Sequence, residues 1–453
     1  MIEGLLEAFK IPELRKRILF TIWAILVFRL GAWIPVPGVN PQAVQDVFAQ
    51  LGQLGAFLSA FTGGALERFS IFALGVIPYI NASIILSLLV PIIPKLKEIQ
   101  DRGEEGRRVI NKITRYGTVG LAILQSIGTS YILHSQGLTQ PNQPLWNFML
   151  ISVVTLTTGT MFLMWLGERI TENGIGRGIS MLIMAGILAD YPRYFGQIWF
   201  DVTNNPDPAK FLWIPVIIAM FVIVTAGVVM VQLGARRIDI QYAKRIVRGR
   251  VYGGHNTFLP LQVNQGGVIP IIFASALLAI PATFFQMAQN AEWWPIPNEN
   301  NPGWINGLIA FLNWMADHFN RGAELYMFLS AILIFFFTYF YSAIVFNPRD
   351  LAENLRKWGG FIPGIRPGKP TTDFIESVQA RLLFIGAVFL VFMALLPMII
   401  TNASGFTAVF LGGTSLLIVV GVGVDTIKQI EAHMVERQYE SLIEKGAAFG
   451  RRS

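Results

Sequence analysis

The side chains of this chain that could do chemistry are scarce and scattered. There is no cysteine among 453 residues, so no thiolate nucleophile, disulfide or Cys-ligated metal is available. The four histidines, His134, His255, His318 and His433, are far apart, and none stands at metal-ligand spacing. No carboxylate pair and no Ser/His pair is set for acid–base or nucleophilic work. The one lookalike of a phosphate loop, Gly364 to Lys369 (GIRPGK), has the wrong spacing and sits in a Pro-rich turn. The chain is therefore read as a non-enzyme with no metal and no cofactor.

Two other patterns stand out. Val76, Ile80 and Ile84 recur at i, i+4 and i+8 and share one helix face. Ile179 and Ile183 share another, with Ile272 and Ile418 on later apolar segments. An aliphatic constriction can seal against ions by dewetting while yielding to something larger; the same stripes also suit plain packing. The second pattern is cationic. Residues 236–265 alternate through Ile238, Ile240 and Tyr242, then turn at Arg248-Gly249-Arg250 into Val251 and Tyr252, which reads as a hairpin. That loop carries six basic residues against Asp239 alone. Residues 347–373 open with a helix start at Asn347-Pro348 and stiffen through Gly359, Gly360, Pro363, Gly364, Pro367, Gly368 and Pro370, with Arg366 on the rigid turn. Attraction to anionic lipid explains basic loops, but needs neither a hairpin nor a Pro-locked arginine. The two loops read as cationic fingers for a large partner.

These patterns need elements to hold them. Of the residues, 53% are hydrophobic and only 14% charged, with mean hydropathy +0.53. Soluble chains carry roughly a quarter charged residues, so this one is read as an all-α polytopic membrane protein. Ten segments suit spanning: Ile18–Trp33, Ser70–Ile93, Tyr116–Leu133, Trp146–Gly167, Ile179–Phe200, Phe211–Leu233, Gly266–Met287, Leu325–Phe346, Leu382–Ile400 and Phe406–Val424. The fifth is cleanly apolar only to Ala189, before Asp190 and Arg193. Lys and Arg collect in cytoplasmic loops. With both termini inside, only Arg68, Arg193, Lys210 and Arg321 fall outside and Arg29 lies within the first span; the rest of the 35 basic residues lie inside. The amphipathic start, MIEGLLEAFKIPELRKR, does not read as a cleavable signal peptide.

Five spans per half is an odd number, so halves of one fold must be inverted relative to each other. In such folds, Gly/Pro-interrupted helices flank the translocation path. The second span of each half is interrupted in this way, by Gly75, Pro78 and Pro91 and by Gly266, Gly267, Pro270 and Pro281. The expected division is a half over 1–200, a half over 201–430 carrying loops 236–265 and 347–373, and a cytoplasmic tail over 431–453. The spans hold almost no ionisable group besides Arg29, and Glu168 and Arg169 at a helix end, so proton or sodium coupling is not expected. A passive conduit driven from elsewhere remains. A small-solute transporter would share the inverted halves but carry solute without a motor. A membrane insertase scaffold would show a hydrophilic groove and no sealed pore.

Eight stretches, in order, carry a resemblance over essentially the whole chain: FRLGAWIPVPGV, ERFSIFALGVIPYINASII, EEGRRVINKITRYGT, ERITENGIGRGISMLI, QYAKRIVRGRVYGG, LPLQVNQGGVIPIIFASALL, FNPRDLAENLRKWGGFIPGIRPGKPT and GGTSLLIVVGVGVDT. In these the chain resembles the SecY/Sec61-alpha family of protein-conducting channels. The resemblance implies two inverted five-helix halves around a central pore, with a plug helix and a lateral gate. It puts the plug at about 59–69, including Ser59, Phe61, Thr62, Gly63, Gly64, Leu66 and Arg68. The pore ring becomes Val76, Ile80, Ile179, Ile183, Ile272 and Ile418, with Ile84 close by; Val76 stands where many relatives have Ile. Gate contacts become Asn81, Ser83, Ser87, Gln125 and Thr283. Lys244, Arg245, Arg248, Arg250, Arg356, Lys357 and Arg366 become docking residues, although the finger reads R-G-R where some relatives have G-R-R. The implied partners are the SecE and SecG subunits, the SecA motor, the ribosome through its rRNA, preprotein signal sequences and nascent membrane segments, and the bilayer with its anionic lipids. The implied location is the bacterial cytoplasmic (inner) membrane.

Overall fold

The computed structural model describes residues 11–450 except 51–58, 60–61, 141–143, 205–207, 243–244, 248–249, 253–255, 276, 279–280, 282–302, 320–322 and 405–413. Its helices are α1 (Pro12–Gly31), α2 (Pro41–Gln50), α3 (Ile77–Ile92), α4 (Pro94–Asp101), α5 (Glu104–Ser135), α6 (Leu145–Asn173), α7 (Gly178–Asn204), α8 (Pro208–Leu233), α9 (Gly303–His318), α10 (Glu324–Val345), α11 (Pro348–Lys357), α12 (Lys369–Ser404) and α13 (Thr414–Gly450). Five strands are β1 (Ala235–Tyr242), β2 (Arg245–Val247), β3 (Arg250–Tyr252), β4 (Asn256–Gln262) and β5 (Gly360–Phe361). Pro12, Pro78, Pro94 and Pro348 all stand in first helical turns, where the missing N–H removes no hydrogen bond. Contacts group the chain into two units: Met1–Asp207 with Ile418–Ser453, and Pro208–Leu417.

In the first unit, the stretch Ser70–Ile93, expected as one interrupted helix, comes in separate pieces. Residues 71–76 wind through turns, with Ala73 N–H donating to Ser70 O and Gly75 N–H to Phe72 O, both at 2.8 Å. Gly75 has φ 56°, which ends any helical continuity. Regular α-helix then starts at Ile77, so Pro78 opens a helix and does not break one. After Ile92 the chain bends by 98° into α4. Helix α5 packs on α3 and α6 through a four-residue repeat of small buried residues, Thr114, Thr118, Ala122, Ser126 and Ser130. A small-residue face lets helix backbones approach closely in a membrane.

The turn between α6 and α7 is clamped from three sides. Thr21 Oγ1 accepts from Ile175 N–H at 3.0 Å, Thr171 Oγ1 from Gly178 N–H at 2.9 Å, and Gln429 Oε1 from Gly176 N–H at 2.9 Å. Leu14, Ile175 and Ile430 form a small core beside it. These contacts explain why residues 418–453, assigned from sequence to the second half and a tail, group with the first unit. A Cβ on Gly178 would lie 1.8 Å from Gly167 O. Gly178→Ala is therefore expected to cost about 1–3 kcal/mol through overpacking, read as a lower unfolding temperature of the purified protein.

In the second unit, β1 pairs antiparallel with β4 from Ala235↔Gln262 to Gln241↔Asn256, and with β5 at Gln241↔Phe361 and Tyr242↔Gly360. Strands β2 and β3 form a second hairpin with Val247 opposite Arg250. The predicted alternation holds, with Ile238 and Ile240 buried and Asp239 exposed between them. The pairing of β5 with β1 was not expected, and it joins the two loops into one body. Its core contains Ile238, Ile240, Leu261, Leu355, Ile362, Ile375 and Val378, so strands, α11 and the start of α12 pack together.

Among the described residues, Leu145–Asn173, Trp213–Leu233, Glu324–Lys357 and Lys369–Ile400 are long and apolar enough to cross a membrane, and the bent pair α3–α4 passes jointly. Helices α1, α5 and α7 occupy the first, third and fifth expected spans, though they are more polar. For α5 the polarity lies in its charged first turns, Glu104 to Arg115, together with its buried small-residue face; for α7 it is Asp190 and Arg193.

Candidate functional site

The clamped turn sets the first residues of α7, and from there one face of that helix can be followed. Ile179, Ile183, Gly186, Asp190 and Arg193 succeed one another at spacings of four, three, four and three, which keeps them on one side. The face is aliphatic at its start, small in the middle and charged beyond. Ile183 is buried, as are Val76 at the head of α3 and Ile418 on α13. Ile80 and Ile84 are half-buried on α3. Helix α13 meets the start of α7 where Thr426 Oγ1, which donates to Val422 O at 2.7 Å, lies 3.4 Å from Met181 Sδ. Six of the seven expected ring residues thus belong to the first unit, and Ile272 lies in a helical stretch, 269–275, of the second.

The later part of the α7 face, from Gly186 to Arg193, meets residues 62–69. Ser59 and Thr62 are helical, as expected for a short helix, and residues 63–69 follow as consecutive turns. Ser59 O accepts from Gly64 N–H at 3.1 Å and from Thr62 Oγ1 at 3.0 Å; Thr62 Oγ1 in turn accepts from Leu66 N–H at 3.2 Å. The root is fixed where Phe69 O accepts from Val36 N–H and Ile34 O from Ile71 N–H, each at 2.9 Å. A Cβ on Gly63 would lie 2.8 Å from Gly186 Cα, so two backbones touch there. Arg29 Nη1 donates to Gly63 O at 2.8 Å, and the Arg68 guanidinium lies 3.7 Å over the Trp33 ring. Arg193 grips Glu67 with both guanidinium nitrogens, Nη2 donating to Oε1 at 3.0 Å and Nη1 to Oε2. Ser59 and Thr62 are fully buried and Glu67 is 7% exposed. Phe61 lies outside the described residues.

Asn81, Ser83 and Ser87 are half-buried along α3, and Gln125 on α5, where its carbonyl accepts from Thr129 Oγ1 at 2.7 Å. Ala82, next to Asn81, faces Gly117 of α5, whose Cβ position is 3.6 Å from the Ala82 Cβ. Thr283 lies outside the described residues, as do Lys244 and Arg248; Arg245 and Arg250 belong to β2 and β3. Arg356 and Lys357 are exposed in the last turn of α11, where positive charge complements the helix dipole. The N-cap of α11 matches the sequence reading: Asn347 Oδ1 accepts from Arg349 N–H at 3.1 Å. Arg366 is exposed on a turn between Gly364 (φ 81°) and Gly368 (φ 109°), its own carbonyl accepting from Thr371 Oγ1 at 2.9 Å.

Comparison with known proteins bears on this arrangement directly. The family model SecY matches residues 70–427. The protein translocase subunit SecY of Thermotoga maritima is 46% identical, covering 98% of this chain and 99% of that one. The chain belongs to the SecY family. Two solved structures share the fold of this SecY-family chain at 18% identity. "The structure of a protein conducting channel" has TM-score 0.61 over 94% of this chain and 96% of that one. A structure described as showing that the plug domain of the SecY protein stabilizes the closed state and maintains a membrane seal has TM-score 0.60 over the same shares.

Sequence reasoning about this SecY-family chain missed Glu67, and noted Arg29, Asp190 and Arg193 without giving them a task. A usable signal was present. Charges at membrane depth are costly unless partnered, so Arg29, Asp190 and Arg193 within expected spans each called for a partner inside the protein.

Proposed function

We propose that this chain is the central protein-conducting channel of a bacterial translocase, passing unfolded preproteins across the cytoplasmic membrane and releasing apolar segments into it. The observation that carries the reading is the single face of α7, on which Ile179 and Ile183 lead directly into the seat of residues 62–69. In a SecY-family chain that face suits a pore with an aliphatic ring next to its plug. A polypeptide has no common charge or shape, so a charged filter would reject much of it. Branched aliphatics deform around varied side chains and offer no hydrogen bonds to hold them.

The reading carries ten spans in two inverted halves, with both termini cytoplasmic. A lateral gate runs beside Asn81, Ser83, Ser87 and Gln125, through which an apolar segment partitions into lipid at about 25 cal/mol per Å² of buried surface. Small SecE and SecG subunits complete the channel. The joined loop body docks the SecA motor or the ribosome in turn, the latter through rRNA phosphates, a contact that weakens with salt. The chain itself hydrolyses no ATP.

Proteoliposomes holding the chain with SecE and SecG should import an unfolded preprotein only when SecA and ATP are supplied. Import without the motor, or uptake of small solutes in its place, overturns the reading. Ile418→Asn puts a wettable amide at a ring position that is 2% exposed. It should raise ion leak and the export of preproteins with defective signals several-fold; no change in either removes Ile418 from the ring.

A further inference from the structure

Glu67 and Arg193 stand out from everything else that holds residues 62–69. The segment is already packed by its own turns and by the Gly63–Gly186 backbone contact. Burial of the buried Phe69 and Ala65 adds to that. An ion pair in such a place contributes little that apolar packing would not, because desolvation offsets most of its Coulomb gain. What it supplies is geometric specificity: the two-nitrogen, two-oxygen fork closes in only one arrangement.

The pair is also asymmetric. The Glu67 side chain is 10% exposed and that of Arg193 42%, so one partner is packed into the seat and the other lies at its edge. A charge pair is strong in a dry seat and weak once water enters. It therefore holds while the segment is seated and lets go easily once the seat is wetted. A second acceptor waits beside it. Asp190 stands three residues before Arg193 on the same face, is buried, and its Oδ2 has no hydrogen-bond partner among the described residues. When Glu67 leaves, Arg193 can turn to Asp190 across that i, i+3 spacing. Arg29, on the Gly63 carbonyl, acts on backbone and does not depend on which side chains the segment carries.

We propose that the Glu67–Arg193 fork is a latch that holds residues 62–69 in the seat, and that Asp190 takes over Arg193 when the latch opens. This rests on the reading of that segment as the plug of a channel, and the experiment separates the two. The full chain, reconstituted with its small partner subunits, is compared with Glu67→Gln, with Arg193→Gln, with the reversed pair Glu67→Arg plus Arg193→Glu, and with deletion of residues 62–69. Ion leak and export of a preprotein with a defective signal are measured; export of a normal preprotein reports folding.

Both single variants should raise leak and defective-signal export several-fold with normal export retained, and the reversed pair should return both toward the parent. The deletion should leak most. Single variants that behave as the parent while the deletion leaks overturn the latch and leave the plug standing, as does a reversed pair no tighter than the singles. A deletion that does not leak overturns the plug reading itself.

Discussion

Arg366→Glu is expected to abolish motor-driven export while the chain stays folded and membrane-inserted. The side chain is exposed, and the turn is held by backbone: Ile365 N–H donates to Ile362 O at 3.1 Å, and Thr371 Oγ1 to the Arg366 carbonyl at 2.9 Å. Neither bond uses the guanidinium, so charge reversal leaves the turn intact. What changes is the face shown to a partner. Losing one side of a desolvated interfacial charge pair costs roughly 2–5 kcal/mol, and reversal adds repulsion. Affinity for the motor should fall by about two orders of magnitude or more, since each ~1.4 kcal/mol is tenfold. Initial rates of SecA-dependent import into proteoliposomes, alongside binding of SecA to them, provide the check. Normal import by the variant would remove Arg366 from the docking surface.

A second large effect is expected from Thr62→Cys combined with Gly75→Cys. The parent has no cysteine, so any disulfide is the introduced one. A Cβ on Gly75 would lie 3.8 Å from the Thr62 Cβ, which matches the separation of bridged cysteines, about 3.8 Å. The cost is the positive φ of 56° at Gly75, roughly 1 kcal/mol or somewhat more for a residue with a side chain. Under oxidation the bridge pins residues 62–69 to the head of α3, and on the proposed reading of that segment as a plug it then blocks the pore. Import should stop on oxidation and return with reductant, with neither single cysteine variant responding. Undiminished import by the oxidised double variant, with the bridge verified by gel mobility, would mean that polypeptide passes without this segment moving away.

Local features of the fold were legible in the sequence. The N-cap at Asn347, the alternation through Ile238 and Ile240, and the hairpin pairing of β2 with β3 each depend on neighbours a few residues apart, and their signals are equally local. Features that join distant residues were not. Glu67 and Arg193 are 126 positions apart, and nothing in either neighbourhood names the other. Tyr242 meets Gly360 only because a glycine there lets the ring approach, the Cβ position being 3.1 Å from it. The stretch after Ser70 was misjudged for a different reason. Hydropathy averages over a window and registers neither the φ of Gly75 nor the fact that Pro78 lies in a first helical turn. Within the site, aliphatic positions on α3 and α7 could be read from spacing and resemblance, whereas the charged seat beyond Gly186 required coordinates.

The pairing of β1 with β5 bears on how force enters the molecule. Strand hydrogen bonds and a shared core join the hairpin to the Arg366 turn and to Ile375 and Val378, in the first turns of a 36-residue helix, α12. At 1.5 Å per residue that helix runs about 54 Å along its path, with Pro397 inside it. A load placed on β1 and β4 by the proposed docking partner would pass through that shared core to the helix. On the proposed docking role, the loop body would serve as a thrust bearing that hands load to α12.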